Sequence, residues 1–166
     1  MNFKFLEHSH IIENELLEIV ALKKTHWHYS IEEHISWMQN NIKQDDTHVL
    51  MYNKEEVLVG YLNLIKTDVV INNMNYPFLG IGNVCSKEKG RGYGNELLIE
   101  VNKFLINNNE RGILLCSDNL INFYKKFKWK LVDEFLKDQS IFNNVNIMLF
   151  NFDVSIRGFL YNGRNF

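Results

Sequence analysis

Apolar and polar residues alternate over residues 2–6, the pattern of a short strand with one face on a core. Ile12, Leu16, Leu17, Ile19, Val20 and Lys24 then follow helical spacing, which predicts an amphipathic helix over 13–24. Ser30, with Glu33 three residues later, resembles a capping box and predicts a second helix over 31–43. Alternation returns over 47–52 and 57–70, two strands joined by the polar turn Asn53-Lys54-Glu55-Glu56. Asn72-Asn73 turns the chain into a third strand over 76–86. Leu97, Leu98, Val101, Phe104 and Leu105 form the apolar stripe of a further helix. Asn107-Asn108-Asn109 ends it, because Asn tolerates the left-handed conformation of a C-cap.

The run Gly112–Ser117 reads as a short buried strand and 119–128 as a helix. Residues 129–136 and 145–152 read as two antiparallel strands turning at Asn143-Asn144. Residues 153–166 show no clear pattern. No linker, repeat or low-complexity block interrupts the series, so the expectation is one α/β domain over 1–152 with a tail over 153–166.

Composition narrows the setting. Of 166 residues, 46% are apolar and 23% charged, which excludes wholesale disorder. The longest apolar stretches, such as Val57–Ile65, are broken by Gly60 and Asn63 and fall far short of the roughly 18 residues a membrane-spanning helix needs. The opening Met1–Glu7 turns polar too soon for a secretory signal, so a cytoplasmic protein with no membrane partner is expected. A net charge of −2 gives no reason to expect nucleic acid as a partner. Cys85 and Cys116 are the only cysteines, far apart, and read as reduced thiols. His8-x-His10 and His26-x-His28 are not completed by a carboxylate or thiol at ligand spacing, so no metal is expected.

The chemistry concentrates between the third strand and the helix after it, in Lys87-Glu88-Lys89-Gly90-Arg91-Gly92-Tyr93-Gly94. A strand, a glycine loop and a helix make an anion-binding device, since the first N–H groups of a helix lack internal partners and glycine lets a phosphate approach the backbone. The spacing is neither the dinucleotide fingerprint, because Asn95 stands where the third glycine belongs, nor a Walker loop. An ordinary turn before a helix is the plainer alternative.

Val84-Cys85-Ser86, then Lys89-Gly90-Arg91-Gly92-Tyr93-Gly94 and the helix opening Asn95-Glu96-Leu97-Leu98, resembles the central motif of the GNAT superfamily of acyl-coenzyme A-dependent N-acetyltransferases. Lys89 stands where that family has Arg or Gln. A second motif of the family, an Asn after a strand and then Tyr-x-x-x-Gly-Phe, is matched by Asn119 and by Tyr124-Lys125-Lys126-Phe127-Lys128-Trp129. Lys128 replaces the usual Gly at a helix C-cap and Trp129 the usual Phe, so a strained or reshaped turn is expected there.

The resemblance implies a GNAT-like α/β (α+β) fold: a mixed sheet of about seven strands, splayed between the fourth and fifth, with about four helices. It implies acetyl-coenzyme A as cosubstrate, its arm bonded by the backbone of Val84 and Ser86. Its diphosphate would be held by Gly90, Arg91, Gly92, Tyr93, Gly94 and Asn95, with charge from Lys89 and Arg91, and Asn119 would bond the pantetheine. Tyr124 would be the general acid that protonates the departing thiolate; its plainer reading is a packing aromatic beside Phe123 and Phe127. The reaction implied is direct attack by a primary amine through a tetrahedral intermediate. Family members often dimerise through their carboxyl-terminal strands, which makes a homodimer one expectation.

The base stays open among His26, His28, Asp118, Asp133 and bulk water, because the strand before Val84 carries no carboxylate. Cys85 and Cys116 read as small apolar residues rather than nucleophiles. His26, Trp27, His28 and Tyr29 lie on the link that borders the acceptor side in this family. Parts of the chain also look like aminoglycoside 2′-N-acetyltransferases, which favours a small amine, such as an amino sugar, as acceptor. A peptide or protein N-acetyltransferase and a noncatalytic acyl-coenzyme A sensor are the alternatives.

Overall fold

The computed structural model describes residues 1–136, 145–164 and 166, apart from the side chain of Phe135. The expected turn at Asn143-Asn144 lies outside the described residues. Among these residues the order is β1 (Asn2–Glu7), α1 (Glu13–Lys24), α2 (Ile31–Asn41), β2 (Thr47–Tyr52), β3 (Leu58–Ile71) and β4 (Met74–Ser86). Then follow α3 (Tyr93–Asn107), β5 (Gly112–Cys116), α4 (Asp118–Lys125), β6 (Lys130–Leu131), β7 (Asn146–Phe150) and β8 (Phe159–Leu160). Short 3₁₀ turns occupy His8–His10 and Glu134–Leu136. The strands form one mixed sheet in the order β1-β2-β3-β4-β5-β7-β6, with β8 on β3. β4 and β5 run parallel over Leu79–Ile81 and Gly112–Leu114 only, and β4 continues to Ser86. That splay is the one the resemblance implies. Among the described residues the sheet has eight strands, in line with the expectation of about seven.

The chain divides into two compact units. The first comprises residues 1–65, 82–98 and 166. α1 buries Ile19, Val20 and Leu22 in one cluster with Leu50, Tyr61, Ile65 and Cys85, and Lys23 is buried as well. Helical spacing placed Ile19 and Val20 on that stripe, but it also put Ile12, Leu17 and Lys24 there, which are exposed, and passed over Leu22 and Lys23. α2 opens with the capping box as expected, Glu33 N–H donating to Ser30 Oγ (3.1 Å) and Ser30 N–H to Glu33 Oε2 (2.7 Å). It stops at Asn41, two residues before the expected end. β1, β2 and the first half of β3 form an antiparallel meander in which His48 lies opposite Asn63 and Leu50 opposite Tyr61.

The second unit comprises residues 66–81 and 99–165. Trp129 is its largest buried side chain, stacked on Phe150 and donating its indole N–H to Asn102 Oδ1 (3.1 Å). Gly112 passes so close to Trp129 and Leu105 that a Cβ there would collide with both. The expected strand over 129–136 shrinks to Lys130–Leu131 and a 3₁₀ turn. The patternless tail contributes β8, paired with Val70 and Ile71. Asn72, at φ +53 in the β3–β4 turn, holds the tail by accepting from Arg157 N–H (2.8 Å) and Gly158 N–H (3.2 Å) and donating to the Ser155 carbonyl (2.8 Å). A strand of two residues carries too little alternation to be seen in sequence.

Candidate active site

In the first unit, the end of β4 is kinked at Asn83, whose φ is +52. Its side chain donates to Asn63 Oδ1 of β3 (2.8 Å). Beyond Ser86, Gly90 and Gly92 take φ values of +82 and +80. A Cβ at either would meet nothing within 4 Å, so backbone conformation demands glycine and the space above the turn stays open. The Gly92 carbonyl accepts the N–H groups of Asn95 (2.9 Å) and Glu96 (3.1 Å) and starts α3. The N–H groups of Gly92, Tyr93 and Gly94 have no partner among the described residues. Unspent amides at the positive end of a 15-residue helix suit an anion. Arg91 Nε donates to Glu88 Oε2 (3.0 Å), and that carboxylate raises the pKa of the guanidinium. Both side chains are exposed, so the pair holds the loop weakly and leaves Arg91 able to exchange partners. Lys87, Lys89 and Asn95 are exposed.

The four residues of the α1–α2 link meet different partners, although the His26 and Trp27 rings lie 5.7 Å apart. His26 Nε2 lies 2.7 Å from the Ser86 carbonyl and 3.3 Å from the Ser86 N–H. One nitrogen cannot donate and accept at once, and the shorter contact favours the tautomer that donates to the carbonyl. The main chain expected to meet the cosubstrate arm at Ser86 thus already has a side-chain partner. Trp27 packs on the core over the Lys23 ammonium, which also lies 4.5 Å from the Trp37 ring centre. His28 is exposed, and Tyr29 is 57% exposed, touching His34 edge-on.

In the second unit a single residue, Ser117, joins β5 to α4. Its hydroxyl donates to Asn119 Oδ1 (2.5 Å), which leaves the Asn119 amide N–H groups for another partner. Tyr124 is 5% exposed, packed edge-on against Phe123 and Trp129. Burial, with Cys116 nearby, pushes its hydroxyl up to about 12, so it keeps its proton at neutral pH. Lys128 occupies the left-handed region at φ +66, the conformation the usual glycine serves, and the turn closes through Lys128 N–H to Lys125 O (3.0 Å). Asp118 accepts from Asn146 Nδ2 (2.6 Å) and Asp133 is exposed.

Both cysteines are buried thiols outside any disulfide, and burial holds Cys85 up at about 12. A thiol so hard to ionise is a poor nucleophile. Among the described residues no three His, Cys, Asp or Glu side chains converge as metal ligands, and no helix is long and apolar enough to cross a membrane.

Sequence reasoning passed over Lys23, His48, Tyr61 and Asn63, none more than 2% exposed. Their one signal was a polar group at a core-facing position of an apolar run, as in Leu62-Asn63-Leu64.

Residues 8–132 match the family model described as the acetyltransferase (GNAT) domain. No curated protein matches the sequence. Among solved structures, an N-acetyltransferase (YhbS) of Escherichia coli in complex with CoA is similar with a TM-score of 0.65 and 14% identity, over 97% of this chain and 90% of that one. ElaA of Escherichia coli is similar at 0.62 and 18%, over 90% and 99%. An aminoglycoside 6′-N-acetyltransferase complexed with coenzyme A is similar at 0.58 and 12%, over 88% and 94%. Those likenesses are likenesses of fold, and the family match, which spans most of the sequence, adds the chemistry: the chain belongs to the GNAT acetyltransferases and is an acyltransferase.

Proposed function

We propose that the protein moves an acetyl group from acetyl-coenzyme A to the primary amine of a small molecule, by direct attack through a tetrahedral intermediate. The observation that carries this reading is the loop after β4, where two glycines at positive φ precede unspent helix amides. An acyl-coenzyme A diphosphate is the anion that such a loop suits in this family. The N–H groups from Gly90 to Asn95 would hold it, Lys89 and Arg91 would add charge, and Val84 and Ser86 would align the arm as strand partners. For Ser86 to do so, His26 must release its carbonyl or share it, since a carbonyl oxygen has two lone pairs. Asn119 would donate its amide to the pantetheine.

Tyr124 would give its proton to the departing thiolate sulfur. A phenol that burial keeps protonated can donate at neutral pH, and it can accept a proton only while passing its own to a further partner. Support for an amino sugar as acceptor comes from the aminoglycoside acetyltransferase that shares the fold and from the exposed rings of the link, since Tyr29 offers a face on which a sugar ring can stack. Thiol release from acetyl-coenzyme A, measured with a panel of amino sugars, polyamines and peptides, tests the reading. Release with an amino sugar supports it, release with peptides alone replaces the acceptor, and tight cofactor binding without release for any amine leaves a sensor.

A further inference from the structure

The acceptor amine must lose a proton, and no carboxylate on β4 is there to take it. Within the first unit, three ionisable side chains instead form a continuous hydrogen-bonded series. His8 Nδ1 lies 2.9 Å from His48 Nε2, and His48 Nδ1 lies 2.8 Å from the Tyr61 hydroxyl. His48 and Tyr61 are wholly buried, whereas His8 is half-buried at the edge of the unit. One series therefore joins the inside of the sheet to solvent.

We propose that Tyr61, His48 and His8 carry the amine proton out of the acyl transfer, a role that deepens the acetyl-transfer reading above and rests on it. Two placements support it. Tyr61 shares one packed cluster with Cys85 of β4 and with Trp27 of the α1–α2 link, the segment that borders the acceptor in this family. His48 stands opposite Asn63, and Asn63 accepts from Asn83, the residue before Val84. Asn63 Nδ2 is buried and has no hydrogen-bond partner among the described residues. An unspent buried donor beside the series suits a face that meets a polar ligand better than it suits a finished core.

The outward transfer balances in atoms and charge, and it inverts the tautomer of both rings, which a proton passed back from water through His8, His48 and Tyr61 into the vacated site restores. As the amine nitrogen forms its bond to the acyl carbon, its N–H proton passes to Tyr61 Oη. The Tyr61 proton moves to His48 Nδ1, and the His48 Nε2 proton to His8 Nδ1. His8 then sheds its Nε2 proton to water, and no electrons leave the system. The relay needs His48 neutral, with Nε2 protonated and Nδ1 accepting. Burial, with the charges of His8 and Lys23, holds the His48 pKa down at about 4 against the opposing pull of Asp46. Burial also lowers the His8 pKa, which Asp46 raises, and burial keeps the Tyr61 hydroxyl protonated.

The test uses the full chain and two readouts. In thiol release across pH 5–9, Tyr61→Phe is expected to lower kcat at least about tenfold with KM within twofold. His8→Ala should lose rate comparably and recover it with added imidazole, while His10→Ala, outside the series, should match the parent. Independently of turnover, nitrogen-15 resonances of His48 should report a neutral ring protonated at Nε2 down to pH 5. An unchanged kcat in Tyr61→Phe, a loss in KM alone, or a His48 protonated at Nδ1 overturns the relay. A parent protein that binds no acetyl-coenzyme A and releases no thiol instead overturns the acetyl-transfer reading, and the relay with it.

Discussion

In the proposed reaction two strand-to-helix passages carry the chemistry, and they are built on opposite plans. Between β4 and α3 the chain spends six residues, two of them glycines at positive φ, and offers main-chain amides. Between β5 and α4 it spends one, Ser117, and offers the side chains of Asn119 and Tyr124. The difference lies in what each must approach. A phosphate bound by N–H groups needs the backbone bare, so glycine cannot be traded away there. A proton donor, the role proposed for Tyr124, needs a fixed ring in a dry pocket, and Tyr124 is buried against Phe123 and Trp129. The second passage accordingly accommodates Lys128, at φ +66, where the family's usual residue is glycine.

The sharpest way to break that contrast is Tyr124→Phe. If the second passage works through one hydroxyl, kcat should fall by about a hundredfold or more. Calorimetric affinity for acetyl-coenzyme A should stay within twofold, because the packing ring remains. An unchanged kcat would make the passage a packing motif.

Acid should expose a weakness that belongs to neither passage. His48 is wholly buried, and its folded pKa of about 4 lies below the ordinary 6.5. A group whose pKa is depressed on folding stabilises the fold above the unfolded value. That contribution is lost as pH falls from 6.5 through 4, about 3 kcal/mol in all. Urea titrations of the parent at pH 7 and pH 4 should differ by roughly that amount, and His48→Gln should flatten the difference.

The first passage is probed by Gly92→Val. A β-branched residue at φ +80 costs about 1–3 kcal/mol, and the same strain displaces the amides beside it. Affinity for coenzyme A should fall by about ten- to a hundredfold. A variant that binds as tightly as the parent would remove main-chain recognition as the reason for glycine.

The passages were legible in sequence because each is contiguous: a glycine loop or an Asn-to-Tyr spacing appears within a dozen residues. The splay between β4 and β5 followed from the family those spacings resemble. The buried polar series was not legible, because 40 residues separate His8 from His48 and 13 separate His48 from Tyr61. Only strand register brings them together, and alternation reports which face a residue takes, not what stands opposite it. Lys23 escaped for a related reason. Its neighbour Lys24 fits the same stripe nearly as well, and a one-residue shift in helical phase decides which of them is buried. β8 escaped because Asn72 and the end of β3, not its own sequence, hold it in place.

The smallest expected effect bears directly on the two plans. Lys128 has the left-handed conformation at φ +66, so it carries a conformational cost that glycine would not. Lys128→Gly should therefore stabilise the protein. The gain is limited to about 1 kcal/mol, because glycine also loses more backbone entropy on folding. The turn should survive, since its Lys128 N–H to Lys125 carbonyl bond is main chain on both sides. Thermal melting would register a small upward shift, with kcat unchanged if Tyr124 keeps its place. A lower melting temperature would mean that the lysine side chain contributes more than its backbone costs, and that this passage also depends on the residue at its bend.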